Sequence, residues 1–199
     1  MIKAVIFDWG GVMSVHGQPT AFRENLAKAL GRDPEYARSI LRVGIHELLR
    51  GTITEADFWR KLEAAHGALI PPASRDIFNG WDILAPDPRM TNVVDGLKAR
   101  GFKVALLSNL VPDTEQLFQE HHVQVQFDQV VLSTQAHLAK PDPGIYELML
   151  KKLSLPATEC LYIDDQQRML DQAAALGMRT ILAQDPDNTI KEIEHELKS

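Results

Sequence analysis

The sequence predicts an α/β protein: a doubly wound parallel sheet with a helical insert. Three observations predict it. A short apolar strand opens the chain, and a long stretch with helix signals but no strand follows it. After about residue 86, helix and strand alternate to the end. Polar and charged residues fall at the carboxyl ends of the strands, where ligands bind in sheets of this kind.

Ile2 to Phe7 is apolar and β-branched and stops at Asp8 and the pair Gly10-Gly11, so it reads as a buried strand. Phe22, Leu26 and Leu30 recur at helical spacing, and Gly31 ends that helix. Asp33-Pro34 opens a second helix as N-cap and first-turn proline. Thr54 and Asp57, then Phe58, Leu62 and Ala65, mark a third, closed by Gly67. Phe58, Trp59 and Leu62 read as the core of this insert. Arg42, His46 and Arg50 read as one helix face, solvated or, as the alternative, lining an anionic substrate. Pro71-Pro72 ends the helical run. The alternating part follows: a helix from Met90 to Arg100, a strand from Lys103 to Leu107, a helix from Pro112 to His121 and a strand from Gln129 to Leu132. A helix from Gly144 to Leu153, a strand from Leu161 to Ile163, a helix from Gln167 to Leu176, a strand from Thr180 to Leu182 and a helix from Asn188 to Leu197 complete it. The expected division is an α/β core of residues 1–15 and 84–199 with a helical insert of residues 16–83.

Composition narrows the function. The 199 residues carry 45% apolar and 24% charged side chains, which suits a folded domain rather than disorder or coiled coil. Lys and Arg total 21 against 27 Asp and Glu, a net charge of −6 with no basic stripe, so no nucleic-acid partner is expected. The lone Cys160 excludes an intrachain disulfide and fits a reducing compartment. The early apolar run Ala4 to Phe7 is too short for a leader or a membrane span, so a cytoplasmic protein without membrane partners is expected.

The strand ends carry the chemistry. Asp8 ends the first strand, Ser108-Asn109 the second and Asp164-Asp165 the fourth, while Lys140 begins a Lys140-Pro141-Asp142-Pro143 loop before a helix. Clustered carboxylates repel unless a cation holds them together. Oxygen-only ligands suit Mg²⁺, which keeps waters and binds substrate phosphate. A hydroxyl, backbone N–H groups and a lysine are the donors a phosphoryl group needs. Asp8 is then available as a carboxylate nucleophile.

Phe7-Asp8-Trp9-Gly10-Gly11-Val12, Leu107-Ser108-Asn109, Lys140-Pro141-Asp142-Pro143 and Tyr162-Ile163-Asp164-Asp165 resemble the four ordered motifs of the haloacid dehalogenase (HAD) superfamily. The resemblance covers the whole chain, with the insert as a helical C1-type cap on a Rossmann-like core. It implies an aspartyl-phosphate on Asp8, phosphoryl binding by Ser108, Asn109 and Lys140, and Mg²⁺ held by Asp8, the Gly10 carbonyl and the acidic pair. Within that pair Asp165 is the expected direct ligand. The implied activity is Mg²⁺-dependent hydrolysis of small phosphate monoesters. A metal-independent 2-haloacid dehalogenase and a non-catalytic phosphate-binding protein are the alternatives.

The chain departs from the pattern at Gly10. Phosphatases of the superfamily usually place a second Asp there, which protonates the leaving group. Glycine keeps only the carbonyl, so the metal site survives and the acid–base group does not. Losing such a group typically slows a reaction about 10²- to 10⁴-fold. Three outcomes stay open: preference for good leaving groups such as anomeric sugar phosphates, replacement by His16 or a cap residue, or negligible turnover. The Phe-Asp-x-Gly-x-Val start resembles sugar-1-phosphate phosphatases most.

Overall fold

Alternation along each strand builds two apolar layers. In β1 (Ala4–Phe7), Val5 and Phe7 face one layer and Ala4 and Ile6 the other. In β2 (Lys103–Ser108), Val104 and Leu106 join the first, Ala105 and Leu107 the second. With β3 (Gln129–Leu132), β4 (Cys160–Asp164) and β5 (Arg179–Leu182), the sheet runs β3-β2-β1-β4-β5 and every pair is parallel. Strands covered on both faces read as near-continuous apolar runs, which is why the sequence shows them plainly. The computed structural model describes residues 1–14, 19–72, 75 and 84–198. His16 lies outside the described residues.

The insert comprises α1 (Pro19–Ala29), α2 (Pro34–Leu41), α3 (Ile45–Leu49) and α4 (Glu55–His66). The core helices are α5 (Pro88–Ala99), α6 (Pro112–Glu120), α7 (Ser133–Ala136), α8 (Pro143–Leu153), α9 (Gln167–Ala175) and α10 (Pro186–Glu196). Met90, Val94 and Leu97 of α5, Phe118 of α6 and Ile193 of α10 cover the Val5 and Phe7 side. Ile145, Met149 and Leu153 of α8 and Met169, Leu170 and Ala173 of α9 cover the other. Asp87, Asp142 and Asp185 cap α5, α8 and α10, each with a proline in the first turn.

The insert has an apolar cluster of its own: Leu26, Leu30, Ile40, Phe58, Trp59, Leu62 and Ile70, with Val111 reaching in from the loop after β2. Helix α4 starts on a reciprocal Thr54–Asp57 capping box and ends at Gly67 with φ +79°. The expected face of Arg42, His46 and Arg50 is not one helix. Gly44, at φ +102°, separates α2 from α3, so the three side chains leave from different elements. Arg42 and His46 are exposed, whereas Arg50 is half-buried and turned toward the core.

Two bonds close the neck of the insert. Asp87 N donates to Met13 O at 2.8 Å, and the indole N–H of Trp9 donates to Leu84 O at 2.8 Å. The Trp9 ring stands edge-on to Phe118 at 4.7 Å between centroids. Among the described residues, no helix is long and apolar enough to cross a membrane.

Candidate active site

The central strand β1 delivers Asp8 to the carboxyl edge of the sheet. Asp8 N donates to Ile163 O at 2.9 Å, which fixes the first residue past β1 against β4. The period of two puts Asp8 on the same face as Ile6, and Tyr162 and Asp164 on that face of β4. The site thus sits beside β1 and β4, where the strand order reverses direction.

Lys140 enters from the loop between α7 and α8, and Asn109 holds its backbone. Lys140 N donates to Asn109 Oδ1 at 2.9 Å, and Asn109 Nδ2 donates to Lys140 O at 3.0 Å. The ammonium lies 2.9 Å from Asp8 Oδ1, 2.7 Å from Asp164 Oδ2 and 2.9 Å from Tyr162 Oη. Tyr162 Oη also donates to Asp164 Oδ2, and Asp164 Oδ1 accepts from Gln166 N at 2.9 Å. Both oxygens of Asp164 are therefore engaged. Asp165 differs: its Oδ1 is buried without a hydrogen-bond partner.

Gly11 makes room for Asp165. It sits at φ +76°, and a Cβ there would come within 2.8 Å of Asp165 Cβ. Gly11 N donates to Ser14 O at 2.7 Å, which folds the turn after Asp8 back on itself. Gly10 lies in that turn and forms a bridge with Ser14. Ser108 is buried at the end of β2. The structure thus gathers Asp8, Lys140, Asp164 and Asp165 directly, attaches Asn109 to them through Lys140, and places Gly10 and Ser108 on the loop and strand that frame the group.

The electrostatics are those of an acidic site short of positive charge. Burial raises the Asp8 carboxyl to about 7; Lys140 opposes the shift and Asp164 and Asp165 add to it. Asp165 is raised by burial first and by Asp164 second. Burial works against the Lys140 charge, but Asp164 and Asp8 outweigh it and leave the ammonium above the ordinary lysine range. Oxygens of Asp8, Asp164 and Asp165 lie within 4.8 Å of one another. One lysine faces these three acids. The orphaned Asp165 oxygen and the all-oxygen donor set fit a hard divalent cation such as Mg²⁺.

Three functional features escaped the sequence reading. Tyr162 was part of a motif without a role of its own, and its hydroxyl is central here. Gly11 reads in the sequence as a strand stop and a member of the first motif, without its packing role against Asp165. Arg50 meets Asp142 at 3.2 Å, a pairing across the chain that no local spacing reveals.

Comparison with known proteins gives the same class. The family model described as haloacid dehalogenase-like hydrolase matches residues 2–177. Sesquiterpene phosphatase astK of Aspergillus oryzae is 30% identical over 178 residues, covering 88% of this chain and 87% of that protein. Acyl-CoA dehydrogenase family member 10 of Mus musculus is 27% identical over 96% of this chain, which spans only 19% of that longer protein. A HAD-like family hydrolase from Porphyromonas gingivalis superposes with a TM-score of 0.81 at 23% identity, over 100% of this chain and 99% of that one. A HAD family enzyme from Bacteroides thetaiotaomicron, solved with magnesium and inorganic phosphate, gives 0.72 at 20% identity over 93% and 96%.

Proposed function

The chain belongs to the haloacid dehalogenase-like hydrolases, and from that premise we propose that it hydrolyses small phosphate monoesters through an aspartyl-phosphate on Asp8. The observation that carries the reading is the placement of Asp8 Oδ1 against the Lys140 ammonium at 2.9 Å, beside the orphaned Asp165 oxygen. The relative from Aspergillus oryzae is named a phosphatase, which supports the same substrate class.

In this reading an Asp8 carboxylate oxygen attacks phosphorus, the P–O bond to the alcohol breaks, and the bonding pair leaves with the alcohol oxygen. As Asp8 attacks, the Lys140 N–H that it held is released to the phosphoryl oxygens as a charge-assisted donor, while Ser108 and Asn109 supply the neutral donors. Asn109 spends one amide N–H on Lys140 O and keeps a second for this purpose. Asp164 holds Lys140 in place. Water then attacks the phosphorus and releases Asp8. Asp8, the Gly10 carbonyl and Asp165 would hold Mg²⁺, with Asp164 behind them; bound there, the ion offsets phosphoryl charge and the repulsion among the acids. Residues 16–83 act as a cap over a core of residues 1–15 and 84–199 and admit small substrates. Since Gly10 offers no proton, sugar phosphates with good leaving groups are the favoured class.

The acidic cluster favours this reading over dehalogenation, whose carbon chemistry has no use for a cation site. The test is phosphate release from a panel of sugar phosphates, nucleotides and acyl phosphates, with Mg²⁺ and with EDTA. Release that requires Mg²⁺ and vanishes in Asp8→Asn is expected. Activity that survives Asp8→Asn would overturn the nucleophile, and activity indifferent to EDTA would overturn the metal.

A further inference from the structure

We propose that Tyr162 is a positioning residue for Lys140, a role that rests on the phosphatase reading above. A lysine ammonium has three N–H donors. Here they go to Asp8 Oδ1 at 2.9 Å, Asp164 Oδ2 at 2.7 Å and Tyr162 Oη at 2.9 Å. The phenol passes its own proton to Asp164 Oδ2. Nζ, Oη and Oδ2 thus form a closed triangle behind Asp8.

The triangle answers a mechanical need. Lysine has a long flexible stem, and this one reaches its target from a loop. Asn109 fixes its backbone end, and Tyr162 fixes the ammonium end. The Tyr162 ring is itself immobilised: it is fully buried and meets Tyr146 edge-on at 5.7 Å, with planes at 86°. Its face also lies toward the ammonium, with Nζ 5.6 Å from the ring centroid.

Charge explains why a phenol suits this place. A third carboxylate on Nζ would draw the lysine away from Asp8 and from an incoming phosphoryl group. A neutral hydroxyl accepts the spare N–H without competing for the charge. Misplacing a catalytic group by about 1 Å can cost roughly 10²-fold in rate, so the isosteric loss of one oxygen is expected to lower kcat about tenfold.

The experiment compares Tyr162→Phe with Tyr146→Phe. Tyr146 lies in the same apolar layer, and its hydroxyl donates to Met169 O at 3.1 Å rather than accepting from Lys140. Both variants lose one buried hydroxyl, so both are expected to lower the melting temperature by a few degrees. Only Tyr162→Phe is expected to lose about tenfold in kcat, with KM moving less than threefold. Only Tyr162→Phe is expected to bind orthophosphate about tenfold more weakly in titration calorimetry with Mg²⁺. Equal kcat and equal phosphate affinity in wild type and Tyr162→Phe would overturn the proposal, as would equal losses in both variants. A wild type that binds phosphate but hydrolyses no monoester would sink the phosphatase reading and leave the binding comparison decisive. A wild type that does neither would overturn both. Where Tyr162→Phe yields no folded protein, Tyr162→His takes its place: a ring nitrogen accepting from Nζ should hold kcat between wild type and that loss, and wild-type kcat in this variant would count against the proposal.

Discussion

Arg50 of the insert and Asp142 of the core meet at 3.2 Å, two residues beyond Lys140. Asp142 also caps α8 through Gly144 N, so the ion pair grips the loop that carries Lys140. His137 Nδ1 bonds Arg50 O at 2.9 Å, and a Cβ on Gly51, which sits at φ +63°, would fall 2.9 Å from Thr134 O. Half-exposed ion pairs add only about 0–1 kcal/mol to stability. Arg50→Ala should therefore leave the melting temperature nearly unchanged and raise KM severalfold by loosening cap closure. Gly51→Ala should raise KM further, because it wedges backbone against backbone. Steady-state kinetics beside thermal melts check both; unchanged KM in both variants would show that this contact does not govern closure.

Gly11→Ala should abolish Mg²⁺ binding and lower kcat at least about 100-fold. The added methyl meets Asp165 head-on, and φ +76° is strained for alanine. Calorimetric titration with Mg²⁺ reads the first effect, phosphate release the second.

Metal-free protein should lose stability as pH rises from about 4 to about 7. Asp8 moves from an ordinary 3.8 to about 7 through burial, against Lys140. A raised carboxyl binds its proton more tightly in the fold, so the stabilisation is full below 3.8 and gone once pH passes about 7. Asp165 shifts in the same direction, by burial first. The exposed caps behave oppositely: the Thr54 hydroxyl lowers Asp57 and the Asn188 N–H lowers Asp185, so their support holds above the ordinary carboxylate range and fades as pH falls through their lowered values. Added Mg²⁺ should raise the melting temperature more at about pH 8 than at about pH 5, since it replaces the proton Asp8 has lost. An equal rise at both would count against a shared carboxylate site.

Gly10→Asp should leave Mg²⁺ affinity within about threefold, since the carbonyl at that position remains. It should also speed alkyl phosphates roughly 10- to 100-fold by restoring a proton donor. In the wild type, log kcat should fall steeply as leaving-group pKa rises, and the substitution should flatten that slope. A flat wild-type slope would mean that another group already donates the proton.

The parts legible in sequence are those ruled by short-range periodicity. The central strands were readable because burial on both faces leaves near-continuous apolar runs, as in Ala4–Phe7 and residues 160–163, while the half-buried edge strands β3 and β5 showed through their Val and Ile residues. Helices α2 and α4 declared themselves through Asp33-Pro34 and through Thr54 with Asp57. The single-turn helices α3 and α7 escaped, since neither is long enough to show a period. The false face of Arg42, His46 and Arg50 came from extending one period across Gly44, whose positive φ ends it. Asp8, Lys140, Asp164 and Asp165 were visible because each ends or follows an element at the sheet edge. The hydroxyl of Tyr162 was not, because a tyrosine within an apolar strand reads as core until the partner of its oxygen is known.

The bonds from Met13 to Asp87 and from Trp9 to Leu84 have a consequence for evolution and engineering. They bring the point where the chain leaves the sheet back beside the point where it returns. Residues between these two pairs can therefore change in number without shifting β1 against β2, provided that Arg50 and Gly51 keep their contacts with Asp142 and Thr134.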